Sequence, residues 1–415
     1  MAARDDRLCL GCGSPLPSPF LDLGSMPLAN AYLRPERAKA PEESFPLAVA
    51  YCTHCHLVQL IDRVPPDNMF GEYLYFSSYS DSFLNHACRM ANEMIQRFGL
   101  DGTSRVLEIA SNDGYLLQYF LRRSVRVLGV EPARNIAAEA TRKGIPTLTC
   151  FFGPDVVAEI QARFGTVDLI IGNNVLAHVP AINDFLSAAA ACLKPDGAAV
   201  FEFPYIKELL DKTEFDTIYH EHVFYYSLSA VQVLAKRAGL ELFDVELQPV
   251  HGGSLRAYLQ HSGRRPIAAR VEAILKQERD EGLTTANHFV SFGLQVEALK
   301  QRLVNMLQLL KSSGNRLAAY GAPAKGNTLL NYCGIGLDLL EFTVDRSPHK
   351  QGLLLPGSHL PILPPEELIG RMPDYAVILP WNIAGEIVEQ QREYLRAGGR
   401  FIVPIPEPRI LAHCA

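Results

Sequence analysis

The chain has 415 residues, of which 48% are hydrophobic and 20% charged, with a formal net charge of -6 at pH 7. A chain of this length usually folds as two or three domains, each with its own core. The acidic balance lacks the basic field of a nucleic-acid-binding protein, and no apolar run reaches the ~18–20 residues of a membrane span. The charged N-terminus has no apolar h-region, so we expect a cytoplasmic protein that binds neither nucleic acid nor membrane.

Residues 1–80 are rich in proline and turns and contain two Cys-x-x-Cys pairs, Cys9/Cys12 and Cys52/Cys55. Each pair spans one edge of a tetrahedron, and two pairs complete a four-thiolate zinc site. A segment with so few apolar residues needs such a staple. The pattern includes no histidine or carboxylate that would leave a coordination position open for catalysis, so we expect structural zinc. Redox-active dithiols are the competing interpretation.

Residues 81–262 alternate short apolar strands with helices, which predicts a parallel, doubly wound α/β sheet. The predicted strands are Arg105–Ile109, Val125–Val130, Thr147–Cys150, Val167–Ile171 and Gly197–Phe203, and the predicted helices are Asp81–Phe98, Tyr115–Leu121, Arg134–Lys143 and Ala181–Leu193.

The turn after the first of these strands is typical of a nucleotide-type site. It brings backbone close to a ligand, and Glu131, at the end of the next strand, suits ribose hydroxyls. The turn has one glycine, which disfavours a dinucleotide, and Glu108 suits a cation better than a phosphate. S-adenosylmethionine carries an ammonium, a sulfonium and no phosphate. We call this ligand the donor, because it donates a methyl group. The residues predicted to contact the donor are Glu108, Ala110, Ser111, Asn112, Asp113, Gly114 and Glu131, with Asn173 and Asn174 after the fourth strand.

Tyr219, His220, Glu221 and His222 place a phenol, two imidazoles and a carboxylate on four consecutive residues. Such a density of titratable groups indicates proton chemistry on a bound substrate. His178, in the loop after the fourth strand, is a further candidate for that site. The alternative is a loop held down by its aromatic residues, with the histidines at the surface.

Residues 263–314 are predicted to form a helical connector that breaks near Gly282, and residues 315–415 a second, Rossmann-like α/β domain. Its strands are expected at Leu317–Tyr320, Leu340–Val344, Tyr375–Leu379 and Phe401–Pro404. Small residues, Lys325 and Asn327 follow the first of them at a helix start, which favours an anion such as a diphosphate; a plain structural turn is the alternative.

Five further residues are candidates for the substrate site. Tyr75 and Tyr79 either pack in a core or form a wall of the site. His251 and Arg256 flank a glycine turn that is either a hairpin or an active-site loop. Trp381 either packs on a base or caps the sheet.

The chain resembles the sugar C-methyltransferases of deoxysugar pathways over essentially its whole length. The resemblance rests on an ordered set of motifs, of which each alone is modest; Ala110 departs from it, since glycine is common there. The motifs are the two cysteine pairs, Pro27–Ala31, Tyr75–Tyr79, Glu108–Gly114, Tyr219–His222, His251–Ser254 and Gly321–Gly326.

The resemblance implies a zinc-binding module, a central class I methyltransferase domain that binds S-adenosylmethionine, and a C-terminal domain for the nucleotide sugar. The implied reaction is methylation at C-3 of a 4-keto-6-deoxyhexose, usually linked to thymidine diphosphate, through an enolate. Other open readings are a methyltransferase for a different carbon acid or hydroxyl, and a zinc-ribbon nucleic-acid module fused to a methyltransferase. We expect a monomer.

We assign His222 as the general base, with Tyr219 and His178 as donors to the enolate and Glu221 orienting an imidazole or holding a sugar hydroxyl. His220 is able to exchange roles with His222, and a Tyr219 phenolate is a weaker third option because a free phenol has a pKa of about 10. In a regular strand His220 and His222 point to the same face, so only a turn or bulge separates them.

Overall fold

The computed structural model describes residues 7–65, 77–79 and 81–411, which form three β-sheets with their helices. Tyr75 lies outside the described residues, as do the side chains of Tyr79 and His251. None of the helices in the described part of the chain combines the length and the hydropathy that crossing a bilayer requires.

The first sheet is antiparallel and has the strand order β1-β2-β3-β9. Its first three strands come from the N-terminal segment, whereas the fourth comes from the middle of the chain, directly after Tyr219–His222. The N-terminal segment therefore completes its sheet with the residues next to the predicted catalytic run. The strands are β1 Leu21–Met26, β2 Phe45–Tyr51, β3 Val58–Leu60 and β9 Phe224–Tyr225.

The central sheet has the order β10-β11-β8-β7-β4-β5-β6. The five strands from β4 to β8 are parallel, as predicted, and β11 is antiparallel to both of its neighbours. The chain crosses over between β4 and β7, which is where open α/β sheets bind their ligands. The strands are β4 Arg105–Ile109, β5 Arg126–Val130, β6 Thr147–Leu148, β7 Val167–Asn173, β8 Leu193–Pro204, β10 Leu240–Gln248 and β11 Ser254–His261.

Helices cover both faces of this sheet because each connection between its parallel strands β4 to β8 returns through one. The predicted helices are present to within a few residues, and α4, α6 and α7 are additional to the prediction. They are α1 Asp81–Phe98, α2 Leu117–Leu121, α3 Arg134–Arg142, α4 Pro154–Arg163, α5 Ile182–Cys192, α6 Ile206–Asp211 and α7 Leu228–Arg237.

The connector consists of α8, Ala269–Asp280, and α9, Ala286–Ser312, and it breaks at Gly282 as predicted. Gly282 has a φ of 82°, in the left-handed region that glycine adopts most readily. Buried apolar residues on α9 recur with helical spacing, as expected for a helix with one face in a core. They are Phe289, Phe292, Val296, Leu299, Leu303 and Leu307.

The C-terminal sheet has the order β14-β13-β12-β15-β16-β17, in which only β17 is antiparallel. This order, with its crossover between β12 and β15, is that of a Rossmann-like domain. The elements are β12 Leu317–Tyr320, α10 Ala324–Cys333, β13 Thr343–Val344, β14 Ile362–Leu363, α11 Glu366–Arg371, β15 Tyr375–Ile378, α12 Ala384–Gln390, α13 Arg392–Arg396, β16 Arg400–Val403 and β17 Arg409–Ile410.

The described residues of the N-terminal segment form no separate hydrophobic core. Leu21 and Leu47, on β1 and β2, belong to one continuous buried cluster with Phe289 of α9 and Leu317 of the C-terminal sheet. The cysteines belong to a second cluster, which includes Leu234 of α7 and the apolar face of the central sheet. The segment is thus stabilised by packing against both of the larger domains.

A buried carboxylate fixes the connector to the central domain. Glu278 of α8 is fully buried and accepts hydrogen bonds from the Tyr205 hydroxyl at 2.9 Å, the Leu228 amide at 2.6 Å and the Ser229 amide at 2.8 Å. The two amides open α7, and a negative charge at a helix N-terminus is stabilising.

We predict that Glu278→Ala lowers the free energy of unfolding by about 3 kcal/mol, because it leaves several buried donors unsatisfied. Thermal denaturation should show a midpoint several degrees below that of the parent. Glu272→Ala on the exposed side of the same helix is the control and should change little; equal effects would contradict the buried clamp.

Candidate active site and zinc centre

The four predicted metal ligands converge. The Sγ atoms of Cys9, Cys12, Cys52 and Cys55 all lie within 4.8 Å of one another. Sγ of Cys9 is 3.4 Å from that of Cys55, and Sγ of Cys12 is 3.5 Å from that of Cys52. Zn–S bonds of about 2.3 Å in a tetrahedron place sulfurs about 3.8 Å apart, so the cluster fits zinc closely.

Each cysteine pair sits on a turn of the same shape. The amide of Gly13 donates to the Cys9 carbonyl at 2.8 Å, and the amide of His56 donates to the Cys52 carbonyl at 2.9 Å. Gly13 and His56 both have left-handed φ values, of 79° and 61°. The two turns have the same conformation, and each directs its pair of thiols toward the centre of the four-cysteine cluster.

The predicted donor loop after β4 is tightly turned. Ala110 and Asn112 have φ values of 56° and 48°, and Gly114 has a φ of 78°. Non-glycine residues adopt this region rarely and often at functional sites. The turn places backbone and small side chains at the carboxyl end of β4, beside the sheet's switch point.

Glu131 closes the neighbouring edge of this loop. Its carboxylate accepts from the amides of Asn112 at 3.0 Å and Ala133 at 2.9 Å. Each carboxylate oxygen has a second lone pair, so Glu131 is able to accept ribose hydroxyls as well. The hydrogen bonds to backbone fix its position before a ligand binds.

Buried polar atoms at the ends of β4 and β7 fit a polar, cationic ligand. Oγ of Ser111 is buried without a hydrogen-bond partner among the described residues. The Glu108 carboxyl is also buried, with the Tyr115 side chain and the Leu117 amide as its neighbours. Burial raises the pKa of Glu108 well above its usual range, and an ammonium nearby would restore its charge. S-adenosylmethionine satisfies these requirements.

Two side chains of this loop also make contacts within the protein. The Asp113 carboxylate accepts from Nζ of Lys143 at 2.8 Å and from the Ser78 hydroxyl. Oδ1 of Asn112 accepts from the Ser77 amide at 3.0 Å. These contacts fix the 77–79 turn that precedes α1, so a bracing role for both side chains is the one this geometry favours.

Asn173 and Asn174 lie at the carboxyl end of β7. Nδ2 of Asn173 donates to the Tyr115 hydroxyl at 3.1 Å, and its Oδ1 is buried without a partner in the described residues. Asn174 has a φ of 54°, and its amide donates to the Glu202 carbonyl at 2.7 Å. Both are placed beside the Glu108–Gly114 turn.

Tyr219, His222 and His178 come together next to this edge. The Tyr219 hydroxyl lies 2.9 Å from Nε2 of His222, and the rings of His222 and His178 are 4.9 Å apart. Nδ1 of His222 lies 3.1 Å from the Thr217 carbonyl, which only accepts, so this nitrogen carries the proton. When the ring is neutral, Nε2 therefore holds the lone pair, and Tyr219 donates to it.

His220 points away from this cluster. Its Nε2 donates to the Phe45 carbonyl of β2 at 3.1 Å, and the residue is 2% exposed. Residues 219–222 form a turn in which the His222 amide donates to the Tyr219 carbonyl at 2.9 Å. The turn, rather than a strand, sends the two imidazoles in different directions, and it places only His222 beside His178.

The hydrogen bond made by Nδ1 of His178 leaves Nε2 as the acceptor atom of the ring. Its Nδ1 donates to the Glu221 carbonyl at 2.8 Å, and burial lowers the pKa of His178 to about 4. The ring is therefore neutral at pH 7, with its lone pair on Nε2. The predicted role of His178 as a donor to an enolate is not the one that this tautomer supports.

Glu221 is nearly buried, and its carboxylate faces the N-terminal segment. Oε1 accepts from Nδ2 of Asn30 at 2.6 Å. Asn30 is absent from the predicted site, although it belongs to the Pro27–Ala31 motif on which the resemblance rests. A partner so distant in sequence has no local signal in the chain.

Lys325 and Trp381 meet at the switch point of the C-terminal sheet. Nζ of Lys325 lies 4.1 Å from the indole ring centroid and also donates to Oδ1 of Asn382. The indole Nε1 donates to Asp216 at 2.7 Å. Asp216 lies just before the Tyr219–His222 turn, so this bond joins the C-terminal domain to the predicted catalytic segment.

Three predicted substrate residues are instead buried in contacts within the protein. Trp381 is 9% exposed, which leaves little ring surface for a base, and Asn327 donates to the Ala29 carbonyl at 2.6 Å. Arg256 is 1% exposed and pairs with Glu202 at 3.0 Å and Glu93 at 2.8 Å. Their positions in the sequence are near ligand loops, but the donor groups of all three side chains already bind partners within the protein.

Two buried carboxyls that the sequence prediction omits lie at the same junction. Burial raises the pKa of Asp216 to about 6. Burial, followed by the charge of Asp216, raises the pKa of Glu214 to about 7. Both groups are close enough to Lys325 for its charge to lower these pKa values.

The fold and the donor site define an S-adenosylmethionine-dependent methyltransferase with a zinc-binding module. Family models match three successive segments: a "Putative zinc binding domain" at residues 9–70, a methyltransferase domain at 81–245 and a C-methyltransferase C-terminal domain at 249–406. C-methyltransferase NovU of Streptomyces niveus is 37% identical over 405 residues, which cover 97% of this chain and 96% of that protein. The chain belongs to this family of C-methyltransferases, as the sequence resemblance predicted.

More distant similarities cover a smaller part of the chain. The ubiquinone biosynthesis O-methyltransferase of Bradyrhizobium diazoefficiens is 32% identical over 115 residues, which cover 28% of this chain and 45% of that protein. The solved structure of magnesium protoporphyrin IX methyltransferase from Synechocystis with bound SAH aligns with a TM-score of 0.35 and 12% identity, covering 47% of this chain and 92% of that chain.

We predict that Asp216→Asn stabilises the protein at pH 8 and has little effect near pH 4. The folded protein keeps the Asp216 proton up to about pH 6, whereas the unfolded chain loses it near pH 3.8. Stability therefore falls as pH rises between these values, by up to about 3 kcal/mol. Asparagine resembles the protonated carboxyl and still accepts from Trp381.

Scanning fluorimetry from pH 4 to pH 8 measures this difference in melting temperature between variant and parent. Asp196→Asn, at a side chain that is 87% exposed, is the control. A gain that does not depend on pH, or a loss at pH 8, would show that the buried charge carries no such cost.

Proposed function

We propose that this C-methyltransferase acts on C-3 of a 4-keto-6-deoxyhexose linked to a nucleotide diphosphate, with thymidine diphosphate as the expected carrier. The observation that carries the proposal is the contact between Tyr219 and His222 beside the donor loop. S-adenosylmethionine supplies an electrophilic methyl group when it is bound. The protein must then generate a carbon nucleophile, and an imidazole does so only where a neighbouring carbonyl acidifies the C–H bond.

His222 takes the C-3 proton on Nε2, where its lone pair lies. The Thr217 carbonyl accepts from Nδ1 at 3.1 Å and stabilises the imidazolium that forms. With the sugar bound, the Tyr219 hydroxyl turns from Nε2 to the developing enolate oxygen. Glu221 and His178 accept hydrogen bonds from sugar hydroxyls and orient the ring.

The C-terminal domain holds the nucleotide. Lys325 is a partly buried cation at the start of α10, where the helix N-terminus favours anions. Its neighbours Asp216 and Trp381 connect this point to the catalytic turn. The similarity to C-methyltransferase NovU, over 97% of this chain and 96% of that protein, supports C-methylation as the reaction.

A product assay tests the proposal. Purified protein is incubated with S-adenosylmethionine that carries a labelled methyl group and with a panel of 4-keto nucleotide sugars, and the products are analysed by mass spectrometry. The proposal expects one labelled carbon in the hexose of at least one substrate, and none in the matching 4-hydroxy sugars. Methylation of the 4-hydroxy sugars, or of no sugar, would overturn it.

We predict that His222→Asn lowers kcat by 10²- to 10⁴-fold, the usual contribution of a general base, without changing the Kd of the donor. Tyr219→Phe should lower kcat by a smaller factor if the phenol donates to the enolate. Steady-state kinetics and calorimetry measure these values, with His261→Asn as the control. A loss in Tyr219→Phe equal to that in His222→Asn would instead assign the base to the tyrosine.

A further inference from the structure

The segment that follows β1 lies between the catalytic turn and the C-terminal domain. Nδ2 of Asn30 donates to Glu221 at 2.6 Å, Asn327 donates to the Ala29 carbonyl at 2.6 Å, and the Tyr32 hydroxyl donates to the Ala322 carbonyl at 2.6 Å. Three short hydrogen bonds within four residues fix this segment to both larger domains.

Asn30 itself remains exposed although it binds a nearly buried carboxylate. Its contact with Glu221 therefore lies at the boundary between the protein interior and solvent, next to the cluster of Tyr219, His222 and His178. The Glu221 carbonyl accepts from the His178 ring, so both ends of Glu221 are held by hydrogen bonds.

We propose that Asn30 is a positioning residue of the methyl-transfer site, which holds the Glu221 carboxylate toward the substrate. The zinc-binding module thus contributes directly to the active site. This inference rests on the proposed function of the Tyr219–His222 turn. It explains why the segment before β2 is fixed at its polar positions rather than only by apolar packing.

The hydrogen bond also favours the charged form of the carboxylate. Burial raises the pKa of Glu221, and donation from Asn30 lowers it. The titratable groups that adjoin Glu221 are His178, which contacts its carbonyl, and Tyr219, His220 and His222 in the same turn. Of these, His178 and His220 have lowered pKa values because they are buried, so they are neutral at pH 7.

The first experiment compares Asn30→Ala with the parent enzyme. A displaced carboxylate should lower kcat by 10- to 100-fold, since small misplacements of reacting groups have effects of this size. Zinc content and the Kd of S-adenosylmethionine should not change. Glu42→Ala is the matched control, because Glu42 also links the N-terminal module to the C-terminal domain, through Gly357 and His359, but away from the site.

A wild-type kcat in Asn30→Ala would overturn the proposal. So would a loss of zinc from that variant, because it would show that Asn30 acts on the folding of the module. An equal loss of kcat in Glu42→Ala would likewise assign the effect to general loosening of the module.

The variant Asn30→Asp distinguishes a role of Asn30 in positioning Glu221 from a role in the fold alone. Two carboxyls at this distance share one proton, and the protonated carboxyl donates to Glu221 as the amide does. The activity of this variant relative to the parent should therefore rise at least tenfold as pH falls from 8 to 5.5. A relative activity that does not depend on pH would contradict the proposed contact.

A substrate-free measurement distinguishes failure of this inference from failure of the proposed function. With ¹⁵N-asparagine labelling, the Asn30 side-chain amide resonance is assigned by its loss in Asn30→Asp and followed against pH by NMR. It should show a titration step that Glu221→Gln removes. An unchanged resonance in Glu221→Gln would overturn the inference even if the enzyme methylates the expected sugars. If the titration step is present but the enzyme methylates none of the sugars, only the proposed substrate is overturned.

Discussion

The pairing of β9 with β3 is the contact on which the arrangement of the active site depends. It starts at Val223, whose amide donates to the Ala177 carbonyl at 2.7 Å and whose carbonyl accepts from the Leu60 amide at 2.8 Å. One residue thus fixes the end of the Tyr219–His222 turn against both the loop after β7 and the zinc-binding module. Because backbone amides and carbonyls must be paired when buried, this position is strongly determined.

The N-terminal module is therefore more than an appended metal site. Its described buried apolar residues pack into clusters shared with the larger domains, and its four cysteines are placed to hold zinc between two turns. The predicted domain boundaries, at residues 80, 262 and 314, remain predictions, and the buried clusters extend across them. An arrangement of this kind couples the metal, the catalytic turn and the C-terminal domain.

Charge is concentrated where the domains meet. Glu214, Asp216 and Lys325 lie close together with little access to water. Burial raises the pKa of both carboxyls and lowers the pKa of Lys325, so it favours the neutral form of each group. Such groups cost stability, and they are commonly retained where a ligand or a reaction uses them. In the proposed function, these groups lie between the catalytic turn and the nucleotide of the substrate, in agreement with that general rule.

The sequence by itself determined the class of the protein. Alternating apolar segments specify strands and helices locally, so the central and C-terminal sheets were predictable, and the spacing of Cys9, Cys12, Cys52 and Cys55 specified a metal site. The hairpin of β10 and β11 was one of two alternatives for the glycine turn at residues 252–253, and the structure has it. The strand β9 and the order of the sheets were not predicted, because strand pairing depends on distant partners. The tertiary structure alone decided that His220 faces β2 while His222 faces His178, since a turn rather than a strand sets their directions. It also decided that Arg256 forms ion pairs with Glu202 and Glu93, and that Asn30 contacts Glu221 across 191 positions of the chain. Side-chain direction and long-range partners arise only when the chain has packed, and the chemistry of this site depends on both.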